Sequence, residues 1–388
     1  NISGAGDLEG SDLVSISGTD DLAGIRARSW IDGVTLASVN SFVDVDAHLT
    51  SVHADDALVE YKLIANDDGV FVSELRSIEV NAKDNVLLED VYAQANASFS
   101  LSGDSSISDD AFDVNGIAAI YVNGAQQDDT SVILNNTVGV ASLDIGLYGE
   151  VAAGVNDSFG RLVETSGIYG LYVQSTGDVE IYGDSVFSVS AAITGLGELS
   201  GEDGIDVGLE NEINGDAIDI SGTSSRDVTF NQSLIVDLSG EVLYSEENMV
   251  NASDISFGAF SSDSLDIHYV ESHTSVDVSL QSADSYAEQN MVDLNYAINS
   301  LTTSSDVDTT ITNSHFSTNV DVDLSGELRA EYLSLVNIDD LDNADISANG
   351  DVTVSDTQFS ADITVSIDAD GYGGTAGTYS AYAEDFLL

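Results

Sequence analysis

Carboxylates dominate the chemistry open to this 388-residue chain: 69 Asp and Glu stand against 8 Lys and Arg, for a formal net charge of −61. Several short stretches concentrate them. In Asp368-x-Asp370-Gly371 the glycine permits a tight turn that folds both carboxylates onto one ion. Asp339, Asp340, Asp342 and Asp345 form a second group; Asp104, Asp109, Asp110 and Asp113 a third; Glu202, Asp203 and Asp206 a fourth. Such oxygen-rich loops suit Ca²⁺, a hard cation that takes six to eight oxygen ligands. The first two groups are the expected ligands and Ca²⁺ the expected cofactor. Solvated turn carboxylates are the plain alternative for any one loop. None of the groups completes a twelve-residue helix–loop–helix pattern or a tandem glycine-rich nonapeptide.

Other chemistries find less support. Acid pairs arise by chance at this density, so they do not point to glycosidic hydrolysis. A lyase acting on acidic sugars needs cations near the reacting carbon, yet Arg161, Arg226 and Arg329 are scattered and the overall field repels a polyuronate. His48/His53 and His268/His273 are each five apart, which puts them on opposite faces of an unbroken strand; solvent-facing imidazoles are expected. With no Cys there is no thiolate site and no disulfide framework. Nucleic-acid binding requires clustered Lys and Arg, and only Arg26 and Arg28 sit near each other. The expectation is a protein that is not an enzyme.

The elements that hold these groups are strands. The hydrophobic fraction is 43%, enough for a core despite the charge. Apolar residues alternate with Ser, Thr, Asp and Asn along most of the chain, the period-2 pattern of half-buried strands. No stretch shows a sustained helical stripe, and none approaches the ~18 apolar residues of a membrane span.

The alternation also recurs. Phe230-x-x-x-Leu234-x-Val236-Asp237-Leu238-Ser239-Gly240-Glu241 returns as Phe316-x-x-x-Val320-x-Val322-Asp323-Leu324-Ser325-Gly326-Glu327. Val276-x-Val278-x-Leu280 lies between them, and Phe359-x-x-x-Ile363-x-Val365-x-Ile367 follows. Leu238, Leu280, Leu324 and Ile367 are spaced 42, 44 and 43 residues apart. Ala97-x-Phe99-x-Leu101-x-Gly103 and Leu143-x-Ile145-x-Leu147-x-Gly149 belong to the same series. A fixed period of this size marks stacked units. Because Ile346–Gly350 falls midway between Leu324 and Ile367, the unit divides into two coils of about 22 residues, or about 17–18 coils in all.

On this pattern the chain resembles secreted right-handed parallel β-helix proteins of the adhesin and fibre type, over residues 30–370. The resemblance implies an all-β solenoid, with aliphatic ladders inside and Gly, Asn and Asp at the corners. Tandem β-sandwich modules are the alternative, with two-residue hairpin turns expected at Asn123-Gly124 and Asn214-Gly215. The total absence of Pro fits stacked coils, whose ladders need every backbone N–H.

Taken as ~85 Å long, such a rod carries about one charge per 1.4 Å, close to the ~1.7 Å of duplex DNA. Salt or a divalent cation must screen it. Residues 1–30, with Arg26, Arg28 and Trp30, and residues 371–388, rich in Tyr and ending Phe386-Leu387-Leu388, are expected to cap or dock the ends of a helix over 31–370. The chain begins at Asn1 rather than Met, consistent with a processed, secreted protein. The functional expectation is an extracellular or cell-surface structural protein that self-associates into a fibre, surface layer or biofilm matrix. A shaft that binds glycans is the alternative, and a polysaccharide-acting enzyme the third reading.

Overall fold

A computed structural model describes residues 2–5, 8–16, 22–30, 32–51, 63–124, 130–155, 160–294, 298–331, 333–338, 343–369 and 381–383. These form three long parallel sheets and no helix. The chain visits the sheets in a fixed cycle. A wide sheet takes strands of up to 18 residues, such as Val228–Ser245. A bent sheet takes the next, such as Asp203–Gly215, and a narrow sheet takes four residues, such as Ile218–Ser221. This is a parallel β-helix. The only antiparallel contact among the described residues is the isolated bridge between Thr223 and Arg226, which rules out sandwich modules. Asn123 and Asn214 stand at the ends of bent-sheet strands and make no hairpin.

Stacking follows from side-chain alternation. Leu49, Leu101, Leu147, Gly195, Leu238, Leu280, Leu324 and Ile367 pair in succession down one inward column of the wide sheet. Ala47, Phe99, Ile145, Ile193, Val236, Val278, Val322 and Val365 form the next. Within the shaft these side chains are almost fully shielded, and Phe230 stacks on Phe257 across the interior with centroids 3.8 Å apart. Ser and Asp alternate with them on the outside. Truncating one such leucine leaves a cavity in a shared column, at a cost of about 2–5 kcal/mol.

The register corrects the coil count. Neighbours in the leucine column are 42 to 52 residues apart, so the whole repeat is one coil, not two. The Ile346 segment belongs to the bent sheet, on another side of the same coil. Among the described residues, nine of the wide sheet's twelve strands follow one continuous path, which gives nine coils and a shaft of roughly 40 Å. The linear charge density therefore doubles, to about one per 0.7 Å, on a broader shaft. Coil one is already laid down within residues 1–30: Ile2–Ala5 pairs with Ala47–Thr50, and Leu22–Ser29 with Leu75–Ala82. Trp30 is 63% exposed there. Of residues 371–388, only Ala381–Ala383 is described, paired with Val336–Ile338.

Corners depend on left-handed residues. Between the narrow sheet and the next wide strand, Ser38, Asp90, Asn136, Gly183, Tyr269, Asn313 and Asp356 all have φ between 48° and 77°. Asn and Asp tolerate this region and can hydrogen-bond locally; Asn136 Nδ2 donates to Asp90 Oδ1 at 3.1 Å, one coil below. At the far end of the wide strands, Gly149 and Gly197 stack so closely that a Cβ on Gly197 would lie 2.1 Å from the Gly149 carbonyl oxygen.

Candidate functional site

The corner where the chain enters the bent sheet gathers carboxylates from successive coils. Asn66-Asp67-Asp68-Gly69 in one coil lies beneath Ser108-Asp109-Asp110-Ala111 in the next, held by Gly69 N–H donating to the Asp110 carbonyl at 2.8 Å. Carboxylate oxygens of Asp67, Asp68 and Asp109 come within 4.8 Å of one another. Just beyond, Asp113, Glu164, Asp206, Asn251, Asp293 and Asn337 form a single outward column.

The column is relieved in two ways. Arg161 places its guanidinium among three acids: Glu164 at 2.6 Å, Asp203 at 3.3 Å and Asp206 at 3.9 Å. Further along, amides alternate with acids: Asn251 Nδ2 donates to Asp206 at 3.1 Å and Asn337 Nδ2 to Asp293 at 2.9 Å. An amide between two carboxylates replaces repulsion with a hydrogen bond.

The lower part of the corner has less relief. Asp68 is 9% exposed and Asp110 is 6% exposed. Burial raises the Asp68 carboxyl to about 7, aided by Asp113, Asp109 and Asp67. Burial also lifts Asp110 to about 8, although the Arg161 backbone N–H donates to its Oδ1 at 2.6 Å. Asp113 rises to about 6 through burial and the adjacent Glu164. Desolvation disfavours the ionised form in each case, and like charges add to it. Either a proton or a cation relieves such a cluster. The donors are hard oxygens, as Ca²⁺ prefers; three carboxylates supply at most six, and Asp68 already accepts the Asp110 N–H, so the cluster alone does not fill the shell.

This is the third of the sequence-derived groups, and it differs from expectation. Asp109, Asp110 and Asp113 do sit at the corner, but Asp67 and Asp68 complete it. The signal was an acidic pair 42 residues earlier, visible only once the coil length is known. Of the first-choice ligands, Asp368 lies exposed within strand Gln358–Ala369 on the wide sheet, beside Ser325, rather than in a loop. Asp345 lies exposed within Ala344–Ala348 on the bent sheet, beside Thr302. The two are on different sheets. Asp339, Asp340, Asp342 and Asp370 fall outside the described residues.

The histidines face outward among hydroxyls: His48 Nδ1 lies 2.8 Å from Ser100 Oγ, and His273 Nδ1 lies 2.6 Å from Ser317 Oγ. His53 is outside the described residues. Among those described, no helix is long and apolar enough to cross a membrane. No known protein family, curated protein or solved structure matches the chain.

Proposed function

We propose that this protein is an extracellular structural element, a shaft unit of a fibre, surface layer or biofilm matrix whose acidic surface is neutralised by cations. The observation that carries this reading is the continuity of the columns. Phe359, Ile363, Val365 and Ile367 on the last wide strand repeat the residue types of the coils before them, packed on the core yet only partly covered. Val34, Leu36, Val43 and Val45 do the same at the opposite end. A further coil, from more of the same chain or from a second copy, would extend all three sheets by the hydrogen bonds already used inside.

The mechanism is mechanical and colloidal. Stacked ladders make the shaft stiff, and the polyanionic surface holds water and counterions. Ca²⁺ at the Asp67–Asp68–Asp109 corner would add stability where the charge is densest. No step of this role requires turnover.

Electron microscopy of native material tests it, with sedimentation across a concentration series. Long polymers built from stacked coils are expected. Isolated short rods at every concentration, with or without Ca²⁺, would overturn the proposal.

A further inference from the structure

The bent sheet turns partway along each strand, and the turn makes a groove. In three successive coils the residue at the turn is left-handed: Glu74 (φ 59°), Gly116 (φ 72°) and Gly167 (φ 63°). They stack through Glu74 N–H to the Asn115 carbonyl and Gly116 N–H to the Ser166 carbonyl, both at 3.0 Å. Residues before the turn (Ser73, Asn115, Ser166) and after it (Arg76, Tyr121, Tyr172) line one cleft of about 480 Å³. A second cleft of about 680 Å³ begins at Tyr172 and continues past Gln174, Asn214, Phe260 and Asp306. Register joins the two, because Asn123, Gln174, Asn214, Phe260 and Ser304 form one outward column beside Tyr121, Tyr172 and Glu212. Together they span six coils, roughly 25 Å along the shaft.

Aromatic groups are placed along this groove with care for their backing. Tyr121 and Tyr172 stack at 4.7 Å with planes 10° apart, and Tyr169 leans on Tyr172 at 5.0 Å. The Arg76 guanidinium caps the pile, 3.8 Å from the Tyr121 centroid. Phe260 folds across Gly258, where a Cβ would lie 2.7 Å from its Cε2, so one ring face is held on the backbone while the ring lines the cleft. Between the rings stand amides and hydroxyls, including Asn115, Gln174, Asn214 and Ser262. Burial and Glu212 push the Tyr172 hydroxyl up to about 12, so it remains a donor at neutral pH.

Anionic ligands are disfavoured by the net charge and by Glu74, Glu212 and Asp306 in the lining. Arg76 offsets this little, since Glu74 lies 3.3 Å from it and Glu79 lies 3.8 Å away. What remains is a ligand with apolar C–H surface for the Phe260 ring and the outward edges of the tyrosine pile, and many O–H donors for carboxylates and amide carbonyls. We propose that this groove binds a linear, uncharged polysaccharide lying parallel to the shaft axis. The inference goes beyond the structural role, since it gives the shaft a chemically defined surface to hold.

Titration calorimetry of the full chain against uncharged linear oligosaccharides of three to eight sugars, both α- and β-linked glucans, mannans and xylans, tests this. Polygalacturonate and a Lys-rich peptide serve as charged probes. At least one neutral series should bind, with affinity rising with length and little changed by about 0.5 M salt. Tyr172→Ala, at the junction of the clefts, should weaken binding roughly tenfold. Gln174→Ala, at an exposed position, should weaken it severalfold without disturbing the fold, while Tyr148→Ala on the wide sheet leaves it unchanged. Failure of every neutral series to bind would overturn the proposal. So would binding of the Lys-rich peptide alone, or wild-type affinity in both groove variants.

Discussion

Two buried acidic settings on the same sheet meet opposite fates. Glu79 is 2% exposed, as sequestered as any charge in the described shaft, yet it sits below its ordinary carboxylate range. Burial alone would raise it; hydrogen bonds from Arg26 at 2.7 Å and Arg28 at 3.1 Å, with Arg76 nearby, outweigh that penalty. Eleven residues earlier in the same coil, Asp68 is 9% exposed, has no such ring of cations, and rises to about 7. In a chain with only 8 cationic residues, where each one lies decides which carboxylates stay charged.

Removing Glu79 should break this contrast most sharply. Glu79→Gln leaves three guanidinium groups without their shared negative charge and should cost about 3 kcal/mol by denaturant unfolding. A loss below about 0.5 kcal/mol would mean that the cluster behaves as a solvated surface pair. The aspartates should respond in the other direction. Asp110→Asn keeps an acceptor for the Arg161 N–H and removes the buried charge, so it should stabilise the protein by about 1–2 kcal/mol at pH 8. The gain should shrink as pH falls and vanish only below about 3.8, where Asp110 is protonated both folded and unfolded.

The pH profile sharpens the comparison with the native chain alone. Asp68, Asp110 and Asp113 hold protons more tightly when folded, so their contribution is complete below their ordinary 3.8 and is lost as pH rises through about 6, 7 and 8. Glu79 has the opposite sign: its contribution is complete above its ordinary 4.5 and is lost as pH falls. Thermal unfolding should therefore show a stability maximum near about pH 4, between the ordinary aspartate and glutamate values, declining toward pH 8. A melting temperature that climbs steadily to pH 8 would contradict that balance. The smallest effect expected is from metal. At pH 8, Ca²⁺ should raise the melting temperature by a few degrees more than Mg²⁺ or matched monovalent salt, and Asp67→Asn with Asp109→Asn should remove the difference.

How much of this was legible in sequence depends on which face of a coil is considered. The wide sheet was readable, because Leu238, Leu280, Leu324 and Ile367 pair in the order their spacing implied. The division into half-coils failed because alternation looks the same on every sheet, and nothing local assigns Ile346 to the bent one. Corner residues followed chemistry at Asp90, Asn136, Gly183, Asn313 and Asp356; Tyr269 carries no such signal. The acidic corner was half visible, since Asp109 and Asp110 stand out locally while their partners come from another coil. Tyr121 and Tyr172 were invisible as a pair: they are 51 residues apart, whereas Tyr172 and Glu212 are 40 apart, so no constant period aligns them.

The pairing of every wide strand with only the strands directly above and below it has a consequence for how such a protein changes over time. Duplicating one whole turn of about 43 residues inserts a layer whose two faces already match its new neighbours, and so lengthens the object instead of disrupting it. An insertion of half that size would rotate everything downstream onto the wrong side. Reach, in this design, is a quantity set by counting.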